Sequence, residues 1–134
     1  MSRGHCGRCK KDIEDENVII YKYTCYNLNS DNWRQKAEDF DGSIYIEKDS
    51  FVEPDVHEKM KRLPNGKKKI KIKRIHKDVD FQALLDSGKI KIQNSSHTWK
   101  TYSGYDFIAL RLLRKIFLYY QDNAIIPTDE SVNN

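Results

Sequence analysis

Apolar residues alternate with polar ones in four stretches of the chain, and each stretch predicts a strand. Over 18–26, Ile19, Tyr21, Tyr23 and Cys25 share one face while Ile20, Lys22 and Thr24 share the other, the period of two that a pleated strand imposes. A second strand is expected over 43–48, after the Asp41-Gly42 turn. A third covers 67–75, with Ile70 and Ile72 on one face and Lys69, Lys71 and Lys73 on the other. The fourth, 89–94, repeats the Lys-Ile-Lys-Ile pattern of 69–72.

Helices are expected between these strands. Asp31 can cap a short one over 31–39 by accepting amide hydrogen bonds. Pro54, which needs no amide partner in a first helical turn, suits a helix running to Leu63, where Pro64-Asn65-Gly66 breaks it. Asp78 or Asp80 can cap a helix through Leu84 and Leu85, with Gly88 at the left-handed position that ends it. From about Tyr105 to Gln121 the apolar arc widens to most of the circumference, with Arg111, Arg114, Lys115 and Asp122 on one polar stripe. A helix this apolar belongs in a core. The 95–104 segment reads as a loop carrying His97, Trp99 and Tyr102. The elements add up to an α+β fold, a four-stranded, mostly antiparallel sheet packed on a long C-terminal core helix. No linker divides the 134 residues, so the chain reads as a single domain over 1–127 with a flexible tail over 128–134.

Charge sharpens the picture more than its net value of +4 suggests. Segment 12–58 holds thirteen acids against four bases, and segment 59–77 holds ten bases and no acid. Two faces of opposite sign are therefore expected, each able to steer an oppositely charged partner. The longest apolar run, 116–120, is far below the roughly 20 residues a membrane helix needs, and residues 1–6 lack the apolar stretch of a signal peptide. With three cysteines no disulfide framework forms. These features point to a cytoplasmic protein that does not engage a membrane.

Three groups of residues carry candidate chemistry. Cys6-Gly7-Arg8-Cys9 has the spacing of a zinc knuckle, in which two thiolates turn toward one tetrahedral ion. Cys25 is placed to be a third ligand, with His5, His57, His76, His97 or a water as the fourth. A structural zinc is one reading of this set and free cysteines the other, and residues 1–16 read as a loop in either case. Lys67, Lys68, Lys69, Lys71, Lys73 and Arg74 could track a phosphate backbone, which makes a small zinc-supported nucleic-acid-binding protein an alternative. Lysines at every second position also keep an exposed strand from pairing with its neighbours.

The third group is acidic and aromatic. Glu38, Asp39, Asp41, Glu47, Asp49 and Asp55 surround Trp33 and Tyr45, the composition of a protein-binding patch in which rings anchor and charges steer. No phosphate loop, nucleophile elbow or zinc-protease helix accompanies them, so no enzyme is expected. One compact domain with a charged, aromatic patch and no catalytic set resembles the small immunity proteins of bacterial toxin systems. The resemblance implies a non-enzymatic protein that neutralises a partner toxin, here a basic toxin or nuclease, by protein–protein binding.

Overall fold

Tyr21 and Tyr23 are fully buried, and the strand that carries them lies at the middle of the sheet. In a computed structural model, which describes residues 5–95 and 104–133, the described residues form seven strands and three helices. They are β1 (His5–Glu14), β2 (Val18–Asn27), α1 (Trp33–Glu38), β3 (Gly42–Glu47), a 3-10 turn (Lys48–Ser50), β4 (Asp55–Arg62), β5 (Lys68–Ile75), α2 (Phe81–Ser87), β6 (Ile90–Gln93), α3 (Phe107–Asn123) and β7 (Asp129–Asn133). The fold is α+β. Five strands form one antiparallel sheet in the order β6-β3-β2-β1-β7, and β4 pairs only with β5. No helix among the described residues is long and apolar enough to cross a membrane.

Register fixes which residues meet on the covered face. Tyr21 stands opposite Ile44, Ile19 opposite Ile46, and these stand opposite Ile92 and Ile90 in turn. Ile108, Ala109, Leu112, Leu113, Ile116 and Phe117 of α3 complete this cluster. Burial of each large aliphatic side chain there contributes about 1.5–3 kcal/mol. Gly7 lets the helix come down onto β1, since a Cβ at that position would lie 2.1 Å from Ile108 Cγ2. Gly7→Ala is therefore expected to lower stability by about 1–3 kcal/mol, as overpacking does, measured as a lower urea midpoint at unchanged slope. The opposite face is covered in part by α1, whose Lys36 carbonyl accepts the Thr24 hydroxyl and whose Trp33 stacks on Tyr26 at 5.9 Å.

Three expectations need correction. Residues 54–63 are a strand, not a helix. Pro64-Asn65-Gly66 is a hairpin turn: the Leu63 carbonyl accepts the Gly66 amide at 3.0 Å, Asn65 Oδ1 accepts the Lys67 amide at 3.1 Å, and Gly66 has φ +80°. Proline at the second position and a left-handed glycine are what such a turn requires, and it folds β4 back on β5. Residues 5–14 form β1 where a loop was expected. Residues 129–133 form β7 on the edge of β1, not a tail; Val132 is its core-facing residue and Lys11 donates its amide to the Thr128 carbonyl at 2.7 Å. The sheet thus has five strands where four were expected, and β5 is not among them.

The short helix α1 begins at Trp33 with Asn32, not Asp31, at its N-cap and without a side-chain capping bond, whereas α2 and α3 match their sequence signals closely. Asp80 caps α2 by accepting the Ala83 amide, and Gly88 ends it with φ +80°. Asp106 caps α3 by accepting the Ile108 amide. The loop residues His97, Trp99 and Tyr102 lie outside the described residues.

Candidate functional site

Strand geometry separates the cysteines. Cys6 and Cys9 are three positions apart on β1 and so lie on opposite faces: Cys9 stands opposite Tyr23 in the core and Cys6 opposite Tyr26 on the other side. They cannot turn toward one ion as a knuckle would. Cys25 donates its thiol to Asp106 Oδ2 at 2.8 Å inside the core. Burial pushes the Cys9 thiol up to about 12, and burial raises those of Cys25 and Cys6 as well. Thiols held protonated are poor zinc ligands, and among the described residues no three His, Cys, Asp or Glu side chains gather to hold a metal.

Asp106 organises a polar cluster instead. It is fully buried, and its Oδ2 accepts from both Cys25 and the Tyr23 hydroxyl, the latter at 2.9 Å. Tyr23 in turn accepts the Ser95 amide at 2.9 Å, and the Asp106 amide donates to Asn94 Oδ1 at 3.0 Å. The cluster satisfies its buried polar atoms and ties the start of α3 to β2 and the end of β6. It serves the fold.

The acidic and aromatic residues are spread over several elements, and cations meet many of them. Trp33 lies between Tyr26 and the Arg34 guanidinium, which is 5.3 Å from its ring. Glu38 pairs with Arg8 at 3.5 Å, Asp49 with Lys89 at 3.4 Å and Asp55 with Lys77 at 3.3 Å. The Tyr45 ring carries Lys91 Nζ at 4.9 Å. Asp41 accepts the Ser95 hydroxyl at 2.6 Å, and Asp39 closes α1 by donating its amide to Lys36. Glu47 ends β3 opposite Val18. Exposed pairs of this kind add little stability, but each one cancels charge where a cationic partner would need it.

The basic residues, by contrast, share one structure. β4 and β5 form a two-stranded ribbon of eight residues per strand, about 26 Å long at ~3.3 Å per residue. Its base is fastened to the C-terminal end of α3. The buried Gln121 amide holds the Lys77 backbone twice, donating to its carbonyl at 3.0 Å and accepting its amide at 2.8 Å. Arg74 donates to the terminal carbonyls of Gln121 and Asp122, where the helix dipole favours a cation. His76 meets the Asp122 carboxylate at 2.5 Å. Beyond that base, no hydrogen bond or ion pair joins the described groups of 56–73, which do not include the side chains of 59, 61 and 71, to the rest of the described residues.

No family model, curated protein or solved structure matches the chain. Its reading rests on the ribbon itself.

The register divides the ribbon into two unlike faces. His57 stands opposite Lys73, and Lys69 occupies the same alternation, making one face cationic. On the other, Val56, Met60, Ile70 and Ile72 are 54%, 62%, 57% and 60% exposed, so the body does not cover them, and the exposed Glu58 stands among them opposite Ile72. Arg62 and Lys68 stand opposite each other at the tip end of that apolar face, next to the turn that holds Lys67. Lys59 stands opposite Lys71 and Lys61 opposite Lys69 in the backbone ladder. Of the basic residues singled out in the sequence, Lys67, Lys68, Lys69 and Lys73 belong to the projecting part, whereas Arg74 is part of the anchor.

A groove of about 470 Å³ beside the anchor is lined by His76, Lys77, Asp78, Phe81, Arg114 and Leu118, a mixture of both charge signs with apolar side chains. The alternation in 67–75 was legible as a basic face and an apolar face. Its pairing with 55–62, which adds His57, Met60 and Arg62, was hidden by the helix expected there.

Proposed function

We propose that the protein is a non-enzymatic binding protein whose projecting ribbon holds a nucleic acid. The observation that carries this reading is the ribbon's form: a narrow arm, fastened at its base, with Arg62, Lys67, Lys68, Lys69 and Lys73 exposed along it. A two-stranded ribbon fits a nucleic-acid groove, and closely spaced cations displace condensed counterions from phosphates. No metal is needed to support the arm, since hydrogen bonds to Gln121 and from Arg74 hold its base. Toxin neutralisation, as in the immunity proteins, needs a continuous field of free carboxylates. Glu38, Asp49 and Asp55 are each met by a cation, so that reading ranks second.

The test is the salt dependence of binding to a fluorescently labelled nucleic acid, followed by anisotropy. About five phosphate contacts predict that the logarithm of the association constant falls with the logarithm of salt at a slope near −4.5. A slope shallower than about −1 is what one stray contact gives. That result, or retention of a cationic protein in place of nucleic acid, overturns the reading.

A further inference from the structure

The even-numbered residues of β4 and β5 share one face of the ribbon, an apolar band with an acid inside it and cations at its ends. From base to tip its cross-strand pairs are Val56 with Arg74, Glu58 with Ile72, Met60 with Ile70 and Arg62 with Lys68. The four apolar side chains are each more than half exposed, and a two-stranded ribbon with nothing on its apolar face is marginal in water. Glu58 and Arg62 are also exposed, and neither has an ion-pair partner among the described residues. A polyanion is the wrong cover for a face with a carboxylate at its middle. We infer that a second copy of this chain covers it. The two ribbons pack face to face about a two-fold axis that lies between them, across the strands, at the level of Met60 and Ile70.

The spacing selects that axis. It sets β4 against β4 of the other copy and β5 against β5, running in opposite directions, so residues equally far on either side of 60 or 70 face each other. Met60 meets Met60 and Ile70 meets Ile70. Glu58, two residues toward the base, meets Arg62 of the other copy, two residues toward the tip, and Ile72 meets the aliphatic stem of Lys68. Two-fold symmetry forms each charged pair twice. An axis along the strands would set Glu58 against Ile72 and lose both pairs. Lys69 and Lys73 lie on the odd-numbered face, which points outward from such a sandwich on both sides and stays open to phosphate. Two terms limit the strength. Segment 55–77 carries ten bases against Asp55 and Glu58, so the arms repel until salt screens them, over about 10 Å at 0.1 M and about 3 Å at 1 M. A face two strands wide also belongs with the small interfaces, below about 1,200 Å², of weak and transient pairs. The dimer is therefore weak and strengthens with added salt, the opposite of the response expected of nucleic-acid binding.

The experiment is sedimentation velocity of the full chain, free of nucleic acid, at about 0.1 M and about 1 M salt and at protein concentrations up to about 1 mM. The native association constant is expected to rise at least about threefold at the higher salt. Glu58→Arg alone and Arg62→Glu alone each place two like-charged contacts in the interface and should weaken association at least about tenfold. Arg62→Glu decides against general charge, since it lowers the repulsion between arms and would strengthen a non-specific dimer. The Glu58→Arg/Arg62→Glu double variant re-forms both pairs with their signs exchanged and should return to within about threefold of the native protein. Both positions are exposed, so thermal unfolding of these variants should match the native chain. Met60→Cys should be joined to its copy by a short bis-maleimide and His57→Cys, on the outer face, should not; Cys6, Cys9 and Cys25 are buried. A chain that stays monomeric at both salts, a double variant as weak as the single ones, or crosslinking through position 57 in preference to 60 overturns the inference and leaves the face to a different protein. None of these results touches the nucleic-acid reading, which its own salt slope decides.

Discussion

Replacing Lys67, Lys68, Lys69 and Lys73 together by glutamine is expected to weaken nucleic-acid binding by about 10³-fold at 0.15 M salt. Each lysine that neutralises a phosphate contributes about 0.9 to the salt slope. At that ionic strength four such contacts correspond to roughly three decades of association constant. The slope should fall from near −4.5 to near −1 in the same titration. Glutamine keeps the length and much of the polarity of lysine. The four positions are exposed and make no side-chain bond to the body among the described residues, so stability should change by less than about 0.5 kcal/mol. A variant that folds normally and binds within threefold of the native protein would remove the arm as the contact surface. Arg74 should behave differently although it belongs to the same run of charge. Its guanidinium caps α3, and Arg74→Gln should loosen the arm's base as well as reduce charge.

That contrast marks the limit of what the basic run reveals by itself. Spacing distinguishes the two faces of 67–75, but it does not say whether another element covers the apolar one. Ile70 and Ile72 have the same local pattern as Ile90 and Ile92, yet the first pair is exposed and the second faces the core of the sheet. The difference lies in the partner strand. β3 offers Ile44 and Ile46 to β6, whereas β4 offers Met60 and Glu58 to β5. The β4 strand itself was obscured because Pro54 and Pro64-Asn65-Gly66 fit the two ends of a helix as well as a strand and its turn.

β1 and β7 were hidden for another reason. Lys10 to Asp12 and Asp129 to Ser131 are polar throughout, and among the described side chains of β7 it is Val132 that reaches the core. Edge pairing of this kind is carried by backbone hydrogen bonds, which leave no hydrophobic period to read. The cysteines show the same loss in reverse. Their spacing is meaningful only in a turn, and once residues 5–14 pair with β2 the alternation of the strand places Cys6 and Cys9 apart.

Those buried thiols also set the alkaline limit of the fold. Cys9, Cys25, Tyr21 and Tyr23 all have pKa values raised by burial, because the core disfavours thiolate and phenolate. In the unfolded chain they ionise near their ordinary values of 9.0 and 10.0. Above about pH 9 the native state therefore holds more protons than the unfolded one, and stability must fall as pH rises. For Cys9 alone, the interval from 9.0 to about 12 corresponds to about 4 kcal/mol, of the same order as the whole stability of a small domain. With all four groups engaged, the loss between pH 10 and 11 approaches about 5 kcal/mol per pH unit. Urea titrations at pH 8, 9.5 and 10.5 should show a steeply falling midpoint. The three thiols should resist a thiol-reactive disulfide reagent at pH 8 until denaturant is added. A midpoint unchanged from pH 8 to 10.5 would mean that these groups ionise inside the fold, which contradicts their burial against α3. Cys9→Ala should then separate charge from packing. It lowers the midpoint at pH 8 through the lost side-chain contacts, yet flattens the decline above pH 9 by one proton's worth.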